Sequence, residues 1–470
     1  MGYSRVVSVF GRRRPWVPAA SISLFAGSIL AFSVLGCGNL YRPVVTSLPP
    51  VQPPRQPIKY AIVTSCADAT DVSAPKIDQV CNSTRTPGLV SVVNFSGDSL
   101  AARINIGTGG PRWTVLSSNG ALAYVVDADS TISTFLASST IQAPLENKNV
   151  NTSTLPPTPA GQPTPNTLLY TNLNLYVSQP GRSSIEVLDV SGSLPGAPGA
   201  YLEIPVAPNP VNFVGNNSAQ RIYVISQGSA SGTCPTSGPN GVVTAIETST
   251  NTPSATIPVG RCPIYGVMSP DDRRTFILNQ GGNTITVLDS QQNQIDPNFP
   301  NGITVGDGPV WADILNNSSL LAVANSRSNT VSLIDISTDA YGHDGPNFGQ
   351  IVATIPVGND PYSLSFLQDG SQLFVANRGD GTVSAINLTT YKVNQTISLP
   401  VQPCDPTHQN VGCSPVHPIS IAATTGVPIG KVYVVSPDTN VLTILRTDDD
   451  TIYENLPLTG NGVQVRVSAP

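Results

Sequence analysis

The sequence predicts an all-β fold of repeated four-stranded antiparallel sheets, and three observations carry that prediction. The stretch LFVANRGDGTVSAINLTTYKVNQTISLPV, Leu373 to Val401, comes after a near copy made of LAVANSRSNTVSLIDIS at 321–337 and IVATIPVGNDPYSLSFLQDGS at 351–371. Apolar and polar residues alternate inside these runs with the period of two expected of strands whose faces pack on neighbouring sheets. Two kinds of punctuation also recur: a polar hairpin turn (Asn119-Gly120, Asn216-Asn217, Asp271-Asp272, Asn317-Ser318, Asp369-Gly370) and a hinge ending in proline (Gly110-Pro111, Asn209-Pro210, Cys262-Pro263, Gly308-Pro309, Asp360-Pro361, His417-Pro418). Repetition at about 40 to 55 residues with strands inside each unit is the signature of a β-propeller.

In chain order, a leader comes first. Arg5, Arg12, Arg13 and Arg14 precede an apolar run over 17–36 that carries no acid, the layout of an export signal. The run ends in Val34-Leu35-Gly36-Cys37, which resembles a bacterial lipobox; that resemblance implies a signal peptide over 1–36 and a lipid on Cys37, which anchors the chain to a bilayer. Leu35 departs from the small residue usual in that motif. Gly38 takes the place where an aspartate would imply retention at an inner membrane, so the resemblance implies the outer membrane or the cell surface. Residues 37–57 then hold Pro43, Pro49, Pro50, Pro53, Pro54 and Pro57, a density that favours extended polyproline II and makes a tether.

The propeller domain is assigned to 58–470. Its clearest blade has an inner strand at Tyr362 to Leu367, then LFVAN, TVSAINL and the outer strand QTISLPV. Outer strands number eight: AARINIG, TIQAPL, YLEIPV, SATIPVG, GITVG, VATIPVG, QTISLPV and YENLPL. The stretch 131–210 is the weakest, and if it holds one blade with insertions the count falls to seven. The C-terminal run GVQVRV at 462–467 has no blade after it, while the N-terminal runs IKYAIVTS, LVSVVNF and AARINIG lack an inner strand. Eight blades result if the last strand completes the first blade and leaves no free sheet edge.

These motifs resemble the YVTN family of β-propeller repeats, above all at VANSRSNTVSLID and ATIPVG. The resemblance covers about 58–467, is strongest from 255 to 400, and implies the fold and an exported protein rather than any one activity.

Charged residues make up 11% of the chain, without the clustered Lys and Arg that nucleic acid demands, so nucleic acid is excluded as a partner. Loss of a leader with four arginines and no acid leaves nineteen basic against twenty-nine acidic residues, which lowers the formal charge from −6 to −10. Such acidity keeps an exported domain soluble and suits a monomer. Besides Cys37 there are six cysteines, an even number that in an exported protein points to disulfides. Cys66 with Cys81 and Cys404 with Cys413 each close a short loop; Cys234 and Cys262 remain for the third bridge, and the propeller topology brings all six to one rim. CxxC spacing, which would suggest zinc, is absent. Insertions at 66–86, 143–166, 228–241 and 402–417 fall on that rim and those at 289–301 and 336–350 on the other, which makes the cysteine-bearing rim the candidate binding face.

Nucleotide loops, HExxH, haem-attachment and EF-hand motifs are absent, and Gly228-Ser229-Ala230-Ser231-Gly232 has alanine where a nucleophile elbow needs serine. Hinge residues should ring the channel mouth, so Arg112, Arg261, Asp307, Asp360, His417, Trp113 and Trp311 are the candidate binding residues there. No cofactor is called for, a divalent ion on Asp448-Asp449-Asp450 being the remote option. The primary reading is a non-enzymatic binding or scaffold module for a protein or glycan at the cell envelope. The alternative is a lactonase-like hydrolase, for which His417, Asp307 and Asp360 are the single candidate catalytic set.

Overall fold

Strands that alternate apolar residues on both faces cannot stand alone; each face needs a neighbour. In the computed structural model every strand finds one. The model describes residues 60–468 apart from 67–87, 96, 107–108, 119, 138–149, 192–200, 217, 230–237, 318, 401–415 and 425–429. The leader, Cys37 and the tether lie outside the described residues.

The chain forms eight antiparallel sheets, seven of four strands and one of five in which two short strands share the outer edge, so the fold is an eight-bladed β-propeller and the seven-blade count falls. The inner strands of blades 2 to 8 are Pro111–Leu116, Leu168–Thr171, Pro210–Gly215, Pro263–Met268, Pro309–Ile314, Pro361–Phe366 and Ser420–Ala423. Blade 1 is built from Tyr60–Cys66, Gly88–Asn94 and Ser99–Ile106, and its inner strand is the C-terminal Asn461–Val467. The two ends pair antiparallel, from Ala61 opposite Val467 to Cys66 opposite Asn461. Ser468 clasps the joint: its N–H donates to the Tyr60 carbonyl at 2.9 Å and its Oγ accepts from the Tyr60 N–H at 3.0 Å. Each inner strand touches the next around the whole ring.

The hydrophobic core is divided accordingly. Eight separate clusters fill the eight gaps between adjacent blades. In the second strand of blade 7, Leu373 and Val375 face blade 6 while Phe374 and Ala376 face blade 8. Polar ties obey the same plan. Tyr176, Tyr223 and Tyr433 occupy one position in three second strands, all fully buried. Their hydroxyls reach Asn251 (2.7 Å), Asn293 (2.8 Å) and Asp98 (3.5 Å) on turns of the next blade.

The repeated asparagine has a structural office. Asn279, Asn325 and Asn377, at the ends of second strands and fully buried, each donate to two hydroxyls of the third strand, as Asn377 does to Thr382 and Ser384 at 2.9 Å. A Cβ on Gly260, Gly306 or Gly358 would come within 2.6–2.7 Å of these amides, which explains the glycine that ends SATIPVG, GITVG and VATIPVG. Blade 2 places Asp127 in the asparagine slot, where it accepts from Ser133 (2.9 Å) and Thr131 (3.3 Å). Burial pushes its carboxyl up to about 8.

Two sequence expectations are corrected. The outer strand of blade 2 among the described residues is Asn151–Thr154, whereas TIQAPL lies wholly outside the described residues. Of the expected 143–166 insertion, the described residues 155–166 connect that strand to the inner strand of blade 3 on the hinge-side rim. In blade 5, GITVG supplies only the two-residue strand Ile303–Thr304, with Gln294–Ile295 pairing beside it on the same third strand. An excursion over 296–302 interrupts the outer edge there. Asn325 and Asn377 belong to the scaffold, as the repeat implies.

Two outcomes are expected. Deletion of 461–470 strips blade 1 of its inner strand and should abolish soluble, cooperatively unfolding protein; a truncated chain that melts like the intact one would refute closure as the main constraint. Asp127 has a folded pKa raised above its unfolded value, so its contribution is complete below about pH 4 and is lost as pH rises through about 8. Asp127→Asn should flatten that slope, gaining roughly 1 kcal/mol or more above pH 8 and little at pH 4. Parallel pH profiles of variant and parent in thermal unfolding would reject this account.

Candidate functional site

The hinge between blades builds the channel mouth. Ahead of the inner-strand proline, Asn209, Cys262, Gly308 and Asp360 sit at φ of 56°, 55°, 69° and 50°, a left-handed turn that asparagine, aspartate and glycine tolerate best. The carbonyl of the hinge residue accepts the N–H of the residue just after the second strand: Ala128 to Gly110, Gln227 to Asn209, Gln280 to Cys262, Ser326 to Gly308 and Arg378 to Asp360, all at 2.8–3.0 Å. Immediately after the proline the strand register slips at Arg112, Val211, Ile264, Val310 and Tyr362, five equivalent bulges. In a regular strand successive side chains point to opposite faces; a bulge re-aims one of them. Hence Arg112 with Trp113, Val211 with Asn212, Ile264 with Tyr265 and Val310 with Trp311 all line one cavity.

That cavity, about 380 Å³, sits where the inner strands begin, on the rim that carries Cys66 and Cys262. A second cavity of about 330 Å³ lies further along the inner strands and shares Trp113, Asn212 and Tyr265 with the first, so the two are successive segments of one channel. Aromatic rings from different blades meet inside it. Tyr265 stacks on Trp311 with centroids 4.3 Å apart, and Trp113 lies 6.2 Å from Trp311 at 44°. Asn166, Asn212, Gln227, Gln280 and Gln464 add amides around the mouth. Asn212 accepts from the Phe213 N–H, and Gln464 from the Thr114 N–H across to blade 2, both at 2.7 Å. Arg112 Nε is buried without a hydrogen-bond partner, and burial lowers the guanidinium pKa. Burial likewise holds the Tyr265 phenol at about 12, so it stays neutral, and raises Asp313, further along the inner strand of blade 6, to about 6.

Of the sequence-predicted residues, Arg112, Trp113 and Trp311 line the mouth. Asp307 is engaged by Arg327 at 2.9 Å, Asp360 by Arg378 at 2.7 Å, and His417 Nδ1 lies 2.8 Å from Asp438 Oδ2. The set of His417, Asp307 and Asp360 is therefore not joined by hydrogen bonds; each member holds its own blade's hinge. Arg378 also lies over the Tyr362 ring at 4.3 Å. Arg261 does not line either cavity, and its carbonyl accepts the Gly281 N–H at 3.2 Å. Cys66 and Cys262 are each disulfide-bonded; Cys81, Cys234, Cys404 and Cys413, and with them the three pairings, lie outside the described residues. Among the described residues no group of three or more His, Cys, Asp or Glu could hold a metal. Asp448 is taken by Arg446 and Asp449 by Thr451.

Sequence reasoning missed Tyr265, the amides and Arg466, which lines the second cavity. Tyr265 and Asn212 stand two places after a hinge proline, as Trp113 and Trp311 do, so that position was the available signal. Arg466 had none, because no hinge proline precedes its strand.

No protein-family model matches the chain, and no curated protein does. Among solved structures it is similar to apo AztD from Citrobacter koseri, at 10% identity over 87% of this chain and 98% of that one, with a TM-score of 0.58. It is also similar to dihydro-heme d1 dehydrogenase NirN in complex with DHE, at 11% identity over 87% of this chain and 74% of that one, with a TM-score of 0.56. Likeness at such identity is one of fold.

Hinge substitutions should separate backbone strain from side-chain bonding. Asp360→Ala loses both the tolerance for φ of 50° and a half-exposed ion pair, a loss of about 1–2 kcal/mol, while Asp360→Gly relieves the backbone and should lose under about 1 kcal/mol. Denaturant unfolding that ranks glycine below alanine would contradict this.

Proposed function

We propose that the chain is a non-enzymatic binding module of the cell envelope that takes a glycan in its channel mouth. The observation that carries this reading is the lining: three large aromatic rings, Trp113 and Tyr265 each against Trp311, bordered by side-chain amides, with no carboxylate or histidine around either cavity among the described residues. Flat rings accept the apolar faces of pyranose sugars, and amides donate to and accept from hydroxyls. Cavities of about 380 and 330 Å³ suit a ligand of one or a few sugar units rather than a protein surface. The hydrolytic alternative loses its support, since His417, Asp307 and Asp360 are each engaged at a separate hinge.

Lipid anchoring through Cys37, an outer-membrane or surface location, and kinship with the YVTN repeats belong to the same proposal and rest on the sequence motifs. The anchor and proline tether would hold the propeller off the bilayer with its rim free to meet polysaccharide.

A glycan microarray followed by calorimetry tests the reading. One class of oligosaccharide should bind, and Trp311→Ala should weaken it about tenfold, because stacking of a ligand on an aromatic ring contributes about 1–2 kcal/mol. An array without binders, or a Trp311→Ala variant that binds as the parent does, would remove the mouth as a glycan site.

A further inference from the structure

The channel is cationic inside an acidic protein. The chain carries a formal charge of −6, yet the charged side chains lining the two cavities are Arg112 and Arg466, and neither forms an ion pair among the described residues. Arg466 comes from the closing strand Asn461–Val467 and packs its guanidinium over the Trp113 ring, 5.0 Å from the centroid. A guanidinium stacked on an aromatic face keeps its planar edge of N–H donors free. Among the described residues no acceptor answers those donors.

Asp313 is the one carboxylate whose charge is felt at Arg466, and Tyr265 is the other titratable group that faces it. Asp313 is already committed elsewhere: Oδ1 accepts the Ile314 N–H at 2.9 Å and Oδ2 the Phe366 N–H at 3.0 Å. Those bonds tie blade 6 to blade 7 and leave Arg466 with a neighbouring charge but no partner. A buried guanidinium without a partner is costly, and a bound acid would relieve that cost. With Asp313 ionised, the two arginines leave one net positive charge along the channel, which matches a monoanion better than a dianion such as a phosphomonoester.

We propose that the channel selects a carboxylate-bearing sugar, a uronic acid, whose carboxylate lies on the guanidinium edge of Arg466 while its ring rests among Trp113, Tyr265 and Trp311. The inference rests on the glycan reading of the mouth and adds its chemical class. Bidentate contact between a planar carboxylate and a planar guanidinium gives direction as well as affinity. Arg112, one step nearer the rim and with its Nε unpartnered, supplies a second contact for an acidic unit entering the mouth.

The test compares galacturonic acid, a monoanion, with its methyl ester by calorimetry on the full chain. The acid should bind at least tenfold more tightly, and Arg466→Gln should erase that preference by weakening the acid to the level of the ester measured on the same variant. A folded Arg466→Gln variant that retains the full preference overturns the assignment to Arg466. Because Arg466 sits on the closing strand, the ester comparison on the unaltered protein stands even if the variant fails to fold. Acid and ester binding equally to the parent overturns the uronic acid proposal and leaves the glycan reading intact. Binding of neither, together with an empty array of neutral sugars, overturns both.

Discussion

Everything in this molecule depends on ring closure. A four-stranded blade with apolar residues on both faces buries neither by itself, so stability comes from the gaps between blades, and eight gaps exist only if the eighth blade meets the first. The strand Asn461–Val467 achieves this by entering a sheet whose other three strands all lie at the opposite end of the domain, and its partner Tyr60–Cys66 is buried along its whole length. The buried tyrosines then make the association specific, because each hydroxyl must find one turn residue on the next blade at the correct height.

Closure also decides what the axis can hold. The inner strands converge on a channel, and the chain lines it with aromatic rings, amides and arginines. The hinge makes that possible. A left-handed residue, a proline and a bulge turn two successive side chains inward in place of one, so a short strand delivers a pair such as Val310 and Trp311 to the same cavity. Blades 3 and 8, whose inner strands show no such bulge, reach the same cavity with the residues at the entry to the strand, Asn166 with Thr167 and Ile419 with Ser420, and Thr167 is also held on Ser178 at 2.9 Å.

The polar repeats divide into two offices. Asparagine, threonine and glycine at strand ends bond or pack against one another inside a blade and are sealed from solvent, so they hold the scaffold. Hinge side chains bond the end of the second strand of the same blade, as Asp360 does Arg378 and His417 does Asp438, and so fix the rim. The channel lining is left with unengaged donors, and it is there that binding energy is available, since donors already bonded within the protein have little to offer a ligand.

Period, turns and hinges are local properties, and the features that depend on them were legible along the chain: the blade repeat, the count of eight, the C-terminal strand closing blade 1, and the rim to which the hinges, Cys66 and Cys262 come. Legibility failed at Asn151–Thr154, where a weak outer strand of polar residues carries no period to detect, and at the interrupted edge of blade 5. It failed too at His417, Asp307 and Asp360, which look like a set because equivalent hinges lie on one rim. Which rim side chains meet is a property of the folded ring alone, because it depends on the ring diameter and on the bulge that aims each side chain. Trp113 and Trp311 come from blades 2 and 6, and Arg466 reaches Trp113 from the far end of the chain. Contacts across an axis have no spacing in sequence, so no pattern along the chain could have announced them.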